Sequence, residues 1–369
     1  MRKFLLAQAI GIALALPLSA QQAADSVKNI NIKKGKLTLE GYVDAYYSYA
    51  ISHPVDANHA YFVSYNRDNE ININLAYISL KYNSDRIRAT FTPGYGTYMN
   101  ANYASERQTL QNLLEANVGV KIFAKKDIWL DAGVISSPYT NETAYSFDQI
   151  NYTRSLASEN VPYYLTGAKL TVPFGKWTAY LYVLNGWQVI QAQHDPLDFG
   201  SQLEFKPNGN WDINWNTYIG DERSAANPGY ETRWFTDGYA TYTPSDKWSF
   251  SADAYIGWQR RMETGGLNTR QWWNANLCAR YTFAPGSSFS GRVEYFHDPY
   301  QVLLTPVTNT YGFKLGSASL GYNLAVTDDV LFRLEGRYFG SPSQLYPMRD
   351  GTTANKDLWL TAGITARFR

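Results

Sequence analysis

Two histidines and two aspartates that could support acid–base or metal chemistry lie close together near the start of the chain. They are His53, Asp56, His59 and Asp68. A histidine paired with a carboxylate can act as a general base, and the same groups can also bind a metal ion. No nucleophile motif accompanies these residues, so enzyme activity is only an alternative hypothesis for this chain. The pattern predicts neither a metal site nor a bound cofactor.

A second set of charged residues could control the passage of ions, because charged side chains around a narrow opening select ions by charge. The candidates are Glu142, Asp148, Arg154 and Glu159 in segment 136–162, Arg292, Arg333 and Arg337 late in the chain, and Glu115 and Asp131 earlier. These residues can act together only if the fold arranges them around one opening. Their role therefore depends on the elements that carry them.

Composition excludes several classes of protein. The 369 residues include 33 Lys and Arg against 32 Asp and Glu, and this near-neutral balance argues against nucleic acid as a partner. A single cysteine excludes a disulfide framework and a cysteine-based zinc site. Aromatic residues make up 16% of the chain and charged residues 18%, below the roughly 25% typical of soluble domains.

Most of the chain alternates between apolar and polar residues with period two, which predicts β-strands with two different faces. From Trp248, for example, Trp248, Phe250, Ala252 and Ala254 alternate with Ser249, Ser251, Asp253 and Tyr255. In the nine clearest segments the apolar face carries no charged residue. The strands are longer than the five or six residues usual in soluble proteins, and only loops remain to cover the apolar faces. We therefore predict that Ala254, Val118 and Leu334 face lipid, and that Asp253, Asn117 and Glu335 face the interior.

Sixteen such strands alternate between short and long connections, which is typical of a transmembrane β-barrel. The long connections lie near 50–70, 93–111, 136–162, 185–199, 220–232, 260–270, 298–310 and 340–356. The strand at 71–82 changes phase near Ala76, which indicates a bulge. The sequence therefore predicts an all-β fold, a transmembrane antiparallel β-barrel of about sixteen strands, with a count that could differ by two.

The N-terminus has the features of a secretory signal peptide. Two basic residues precede an apolar run, and Leu18-Ser19-Ala20 provides small residues for cleavage. We predict a signal peptide over 1–20, a periplasmic segment over 21–36 and an outer-membrane barrel over 37–369.

Several stretches of the N-terminal half resemble a known family. They are GYVDAYYSY (41–49), LAYISLKYNSDRIRATF (75–91), TRSLASENVPYY (153–164) and LNGWQVI (184–190). In these stretches the chain resembles the OmpL-like β-barrel porins of Bacteroidetes. The resemblance implies an outer-membrane barrel with pore function, and it supplies no catalytic residues.

We therefore predict a porin, a water-filled channel for small hydrophilic solutes or ions. Its expected partners are outer-membrane lipid, the barrel-assembly machinery and, where the barrel forms a homo-oligomer, copies of itself. One alternative is a substrate-specific channel or ligand-binding barrel for sugars or peptides. It would use inward aromatic rings as a track, and the candidates are Tyr42, Tyr46, Tyr218, Tyr255, Trp272 and Trp359. A second alternative is an outer-membrane hydrolase.

Segment 136–162 is the longest connection, and it holds enough aromatic residues to pack. We predict that it folds into the barrel, with Glu142 and Asp148 facing the late arginines and Arg154 pairing with an acid of an early strand. An outward lid or subunit contact is the alternative. The late strands carry mostly arginine inside and the early strands mostly acids, so we also predict a basic side opposite an acidic side. Local pairing of these charges is the alternative.

Overall fold

Sixteen antiparallel strands close into one barrel in the computed structural model, which describes residues 35–194 and 197–368. The first eight barrel strands are β1 (Lys36–Ala50), β2 (Glu70–Asn83), β3 (Ile87–Tyr95), β4 (Leu113–Lys121), β5 (Trp129–Ser136), β6 (Tyr164–Phe174), β7 (Trp177–Leu184) and β8 (Asp198–Phe205). The next seven are β9 (Trp211–Asp221), β10 (Tyr230–Ser245), β11 (Trp248–Glu263), β12 (Gly266–Ala284), β13 (Ser287–Asp298), β14 (Phe313–Thr327) and β15 (Val330–Gly340). The last is β18 (Lys356–Phe368), and β16 (Tyr346–Pro347) and β17 (Thr353–Ala354) form a small hairpin in the preceding loop.

Two short helices lie in the connections, α1 (Thr97–Asn102) and α2 (Leu156–Glu159). No helix among the described residues is long and apolar enough to cross a membrane. The predicted fold class and strand count are confirmed. The predicted signal peptide at 1–20 lies outside the described residues, as does most of the predicted segment 21–36.

The barrel closes where the first and last strands meet. β1 pairs with β2 on one side and with β18 on the other, so that Gly41 lies opposite Phe368 and Ala50 opposite Trp359. Closure pairs the backbone groups of every barrel strand, which a strand in lipid requires because hydrocarbon offers no hydrogen bonds.

The two faces of the wall differ as predicted. Val118 and Leu334 are 52% and 43% exposed on the outside, whereas Asp253 and Glu335 are each 3% exposed on the inside. Aromatic rings stack at the short-turn end of the outer face, as in the pair Trp211–Tyr242, whose ring centroids are 4.1 Å apart. Such bands of rings suit the membrane–water boundary.

Seven of the eight predicted long connections are loops, but the one predicted at 260–270 is wrong. There β11 and β12 continue as a paired hairpin that turns at Thr264 and Gly265. Charged residues made this segment resemble a loop. Instead Glu263 forms ion pairs with Arg261 and Arg270 along the hairpin, and Gly265 and Gly266 have positive φ angles that suit a tight turn.

The predicted bulge is confirmed. The pairing of β1 with β2 shifts at Asp44 and Ala45, whose partners are Leu75 and Ile73. Asn74 is the extra residue of β2. Its buried side chain accepts a hydrogen bond from the backbone N–H of Tyr65 at 2.9 Å. The bulge therefore fixes the first long loop to the wall.

Candidate functional site

The connection between β5 and β6, residues 137–163, lies inside the barrel and is called the inner loop below. It contacts strands on different sides of the wall. The backbone N–H of Thr140 donates to Asp237 on β10 at 2.9 Å, and the hydroxyl of Tyr152 donates to Asp44 on β1 at 2.8 Å. The backbone N–H of Leu156 donates to Glu294 on β13 at 2.6 Å. The predicted inward fold is confirmed, and the outward lid is wrong.

Five charged residues on β13 and β15 face this loop and are called the arginine wall. They are Arg292, Glu294, Arg333, Glu335 and Arg337. Within the wall, Arg292 pairs with Glu335 at 3.1 Å and with Glu294 at 3.2 Å, while Arg337 pairs with Glu294. Local pairing is therefore correct for Arg292, Arg337, Glu294 and Glu335, because the alternation of a strand places arginine and glutamate side by side on one face. Arg333 forms no ion pair among the described residues. A basic side opposite an acidic side stays a prediction, which ion selectivity in planar bilayers would test.

The arginine wall holds the inner loop mainly through its backbone. Arg333 donates to the carbonyl oxygens of Ser146 at 2.7 Å and Phe147 at 2.9 Å. Arg292 donates to the carbonyl oxygen of Thr153 at 2.7 Å. Glu335 accepts from the backbone N–H and the hydroxyl of the same threonine at 2.8 and 2.7 Å. Charged groups bound this way fix the path of the loop, since hydrogen bonds with an ionised partner are the stronger kind.

Asp44 on β1 is a second attachment point. Its carboxylate accepts hydrogen bonds from hydroxyl groups of the first long loop, the inner loop and β18. The donors include Tyr65 at 2.7 Å, Tyr152 at 2.8 Å, Ser146 at 3.1 Å and Thr365 at 3.3 Å. Tyr152 lies over Gly363, where a Cβ atom would overlap its hydroxyl oxygen. Only glycine allows that approach.

The predicted acids of the inner loop have three different environments. Glu142 lies 3.5 Å from Arg292 and accepts from the backbone N–H of Ser155 at 2.6 Å, so its predicted position facing the arginines is confirmed. Asp148 pairs with Arg367 at 3.0 Å but is largely exposed. Glu159 accepts from the backbone N–H of Val63 at 2.6 Å and so fastens the first long loop.

The predicted pairing of Arg154 with an acid of an early strand is wrong. Arg154 is 1% exposed, and its Nη1 donates to the carbonyl oxygen of Tyr152 at 3.3 Å. Its Nε and Nη2 have no hydrogen-bond partner among the described residues. The early acids have other partners. Asp131 accepts from Arg88 at 2.6 Å, and Glu115 accepts from Asn117 at 3.1 Å.

Two cavities lie on opposite sides of the inner loop. The cavity at the short-turn end, of about 320 Å³, is lined by Glu40, Lys81, Glu115, Asp148 and Arg367 among others. The cavity among the long loops, of about 620 Å³, is lined by Tyr61, Glu159, Trp187, Glu222 and Arg233 among others. Because the inner loop contributes residues to both, it stands between them.

The inward aromatic rings do not line an open track. Tyr42, Tyr46, Tyr218, Tyr255, Trp272 and Trp359 are each at most 4% exposed. They pack beneath the loops, and Trp359 stacks on His59 with ring centroids 4.1 Å apart. This burial does not favour a substrate-specific sugar channel.

The histidines of the first long loop gather around Asp68 rather than Asp56. His53 Nδ1 lies 2.6 Å and His59 Nε2 lies 3.3 Å from the Asp68 carboxylate. The same carboxylate accepts from the backbone N–H of Ala50 at 2.6 Å. The hydroxyl of Ser52 donates to Asp357 at 2.6 Å, so this nearby group is engaged elsewhere. The cluster fastens the loop to the end of β1.

Sequence reasoning did not single out Asp44, Glu294 and Glu335 as site residues. Each is an acid on the inward face of a strand, and that is the one signal in the sequence that could have identified them. Asp237 was harder to find because its strand alternates weakly.

Solved structures with a similar fold are porins. The outer membrane channel DcaP of Acinetobacter baumannii is 10% identical, with a TM-score of 0.61 over 90% of this chain and 97% of that one. An anion-selective porin from Comamonas acidovorans is 12% identical, with a TM-score of 0.57 over 90% and 100%. OmpF of Salmonella typhi, in complex with daunomycin, is 11% identical, with a TM-score of 0.59 over 91% and 98%.

A comparison with curated protein sequences finds no match. A family model, described as "Putative beta-barrel porin-2, OmpL-like", matches residues 36–368. That match covers the whole barrel, from β1 to the end of β18. The chain therefore belongs to the OmpL-like family of β-barrel porins.

Proposed function

We propose that this protein is a non-enzymatic channel of the outer membrane for small hydrophilic solutes or ions, with a conductance set by the inner loop. The observation that carries the proposal is the pair of cavities that approach the inner loop from the two ends of one closed barrel. A barrel of this strand number is wide enough to hold an aqueous lumen. The inner loop occupies that lumen, so it determines the width of the passage.

The charged residues predicted for the constriction take different parts in this proposal. Glu142, Arg154, Arg292, Arg333 and Arg337 hold the inner loop in the lumen. Asp148 and Glu115 face the cavity at the short-turn end, and Glu159 faces the cavity among the long loops. Solutes would therefore meet charged groups of both signs at both entrances to the narrow region, since Lys81 and Arg367 line the first cavity and Arg233 lines the second.

The chain would reach this location through the signal peptide at 1–20 and the barrel-assembly machinery. A homo-oligomer also forms part of the proposal, and one similar structure, OmpT of Vibrio cholerae, has been solved in a trimer form. Chemical cross-linking in native membranes would test the oligomer, and N-terminal sequencing of the mature protein would test cleavage after Ala20.

Channel activity can be tested by shortening the inner loop. We expect the intact protein to give a small single-channel conductance in planar bilayers. Deletion of residues 145–152, which surround Asp148, should raise that conductance severalfold. The control is deletion of residues 305–310, which lie in the exposed loop between β13 and β14 and line neither cavity. A folded barrel that conducts in neither the intact nor the shortened form would overturn the proposal.

A further inference from the structure

Two aspartates on the inner face of β10 and β11, next to the inner loop, are buried without an ion pair to a basic residue of the described chain. Asp237 on β10 is 1% exposed, and Asp253 on β11 is 3% exposed. Neither takes part in an ion pair within residues 35–194 and 197–368. Asp253 instead experiences the negative charges of Asp237 and Glu142. A buried carboxylate is strongly unfavourable unless an opposite charge or a metal ion compensates it or the group takes up a proton.

The same patch holds polar groups that lack hydrogen-bond partners. Asn274 on β12 is 1% exposed, and neither atom of its amide group has a partner among the described residues. The same is true of Asp237 Oδ1, Asp253 Oδ2, the hydroxyl of Tyr255 and Asn141 Oδ1. Buried polar groups are nearly always satisfied in native proteins, so this concentration of free oxygen atoms calls for ordered water or a bound ligand.

The strand register brings these groups together. Tyr255 lies directly opposite Asp237 on one side and opposite Asn274 on the other. Asp253 is two residues before Tyr255 on the same face, which makes it a diagonal neighbour of both. Side chains that are opposite or diagonal across neighbouring strands lie within reach of one another. Asn141 reaches the patch from the inner loop, where its Nδ2 donates to Ser251 at 2.7 Å.

We infer that Asp237, Asp253, Tyr255 and Asn274, together with Asn141 of the inner loop, form a binding site for a hard divalent cation of the Ca²⁺ type. Ca²⁺ takes six to eight oxygen ligands, including carboxylates and amide carbonyls, and completes its shell with water. The patch supplies such oxygens and two negative charges. Water together with a proton on each carboxyl group is the other way to satisfy the patch, and the metal titration below separates the two.

The cation would also hold the inner loop to strands β10, β11 and β12. The other oxygen of Asp237 accepts from the backbone N–H of Thr140, next to Asn141. Wall and loop therefore both contribute to the site. The arginine wall fixes residues 146–154 of the loop, and the cation would fix its beginning.

Metal uptake by the full-length protein in detergent tests the site without depending on channel activity. After treatment with EDTA, the protein is titrated with Tb³⁺, whose luminescence is excited by energy transfer from nearby rings such as Tyr255. We expect one strongly bound ion per chain and displacement by Ca²⁺. The double variant D237N/D253N should lose this emission. Loss of one carboxylate in D253N should weaken Ca²⁺ binding by about tenfold or more.

The matched control is D212N, which removes an inward acid of β9 that pairs with Lys206 at 3.3 Å. It should bind Tb³⁺ as the intact protein does. Equal emission from the intact protein and D237N/D253N would overturn the inference. Should the double variant fail to assemble, the intact protein still decides the question, because a thermal unfolding temperature that does not change between EDTA and millimolar Ca²⁺ would also overturn it.

Discussion

The arginine wall and the acidic patch formed by Asp237 and Asp253 hold the inner loop from two sides. They differ in how their charges are compensated. On the arginine wall, Arg292 and Arg337 pair with Glu294, and Arg292 also pairs with Glu335. Every one of these charges also contacts the backbone of the inner loop or a residue beside it. Arg333, the remaining charge of this wall, has no acidic partner among the described residues and donates to backbone carbonyl oxygens instead. On the acidic patch, Asp237 and Asp253 form no ion pair within the described part of the chain. The arginine wall is therefore compensated by the protein itself, whereas the acidic patch fits the proposed cation.

This difference separates two effects of removing a charge. Loss of one member of a compensated buried pair leaves the other member alone, which costs stability. Loss of an acid that has no partner relieves an unfavourable charge. Removal of a charge should therefore destabilise the barrel more at the arginine wall than at the acidic patch.

Replacement of Glu335 by alanine should cause the largest loss of stability. The substitution leaves Arg292 without its contact at 3.1 Å and leaves two donors of Thr153 unsatisfied. We expect the free energy of unfolding to fall by about 3–5 kcal/mol, as for other broken buried ion pairs. Urea titration of the barrel in lipid vesicles measures it. Asp148→Ala is the control, because the Asp148 side chain is 74% exposed in its pair with Arg367 and should change stability by less than about 1 kcal/mol. An equal fall in the free energy of unfolding of both variants would contradict the role of Glu335 as a buried ion-pair partner.

Replacement of Arg333 by methionine should release the middle of the inner loop. The substitution removes the guanidinium of Arg333 and with it the hydrogen bonds to the carbonyl oxygens of Ser146 and Phe147. Because hydrogen bonds to charged groups contribute about 1.5–3 kcal/mol each, we expect a loss of stability of about that size and a higher, noisier single-channel conductance. Arg280→Met removes an inward arginine that donates to Ser249 rather than to the loop, and it should leave the noise unchanged. A quiet R333M channel of normal conductance would show that the other contacts suffice.

Replacement of Asp44 by asparagine tests a buried acid that has hydrogen-bond donors but no ion pair, a case between Glu335 and Asp253. Asp44 has no ion pair among the described residues, yet hydroxyl groups of Tyr65, Tyr152 and Thr365 donate to it. Asparagine keeps one acceptor oxygen and loses the charge, so we expect the free energy of unfolding to fall by about 1–2 kcal/mol. An unchanged value would show that the charge of Asp44 contributes nothing to the attachment of the loop. Thr365→Val, which removes only one donor, should have a smaller effect.

The sequence predicted the strands well because lipid imposes a strict rule on them. An outward charge is costly in hydrocarbon, so the alternation survives in nearly every strand. The rule ends at the membrane boundary, and there the prediction failed, since the hairpin of β11 and β12 continues beyond it through ion pairs of Glu263. Outside lipid, charged residues are equally compatible with strands and loops.

The candidate site was only partly predictable. The length and aromatic content of segment 136–162 indicated that it would pack inside the barrel, and its acids indicated the arginines as partners. The individual partners depend on distances across the lumen, which no local pattern contains. Arg154 is the example, because the early acids expected to pair with it have other partners, as Asp131 has Arg88 of β3. That Asp237 and Asp253 form no ion pair among the described residues is likewise visible only once the neighbouring strands are aligned.

The smallest effect should come from Asp253→Asn, and its sign is the most informative. In EDTA the substitution removes a buried negative charge near Asp237 and Glu142, so the free energy of unfolding should change by less than about 1 kcal/mol or increase. In millimolar Ca²⁺ the intact protein should become more stable than the variant, because an ion that binds only the folded state adds to its stability. Thermal unfolding of both proteins, with and without Ca²⁺, measures the reversal. A large loss of stability in EDTA would instead mean that Asp253 is compensated within the wall, and the two sides of the lumen would then hold the loop in the same way.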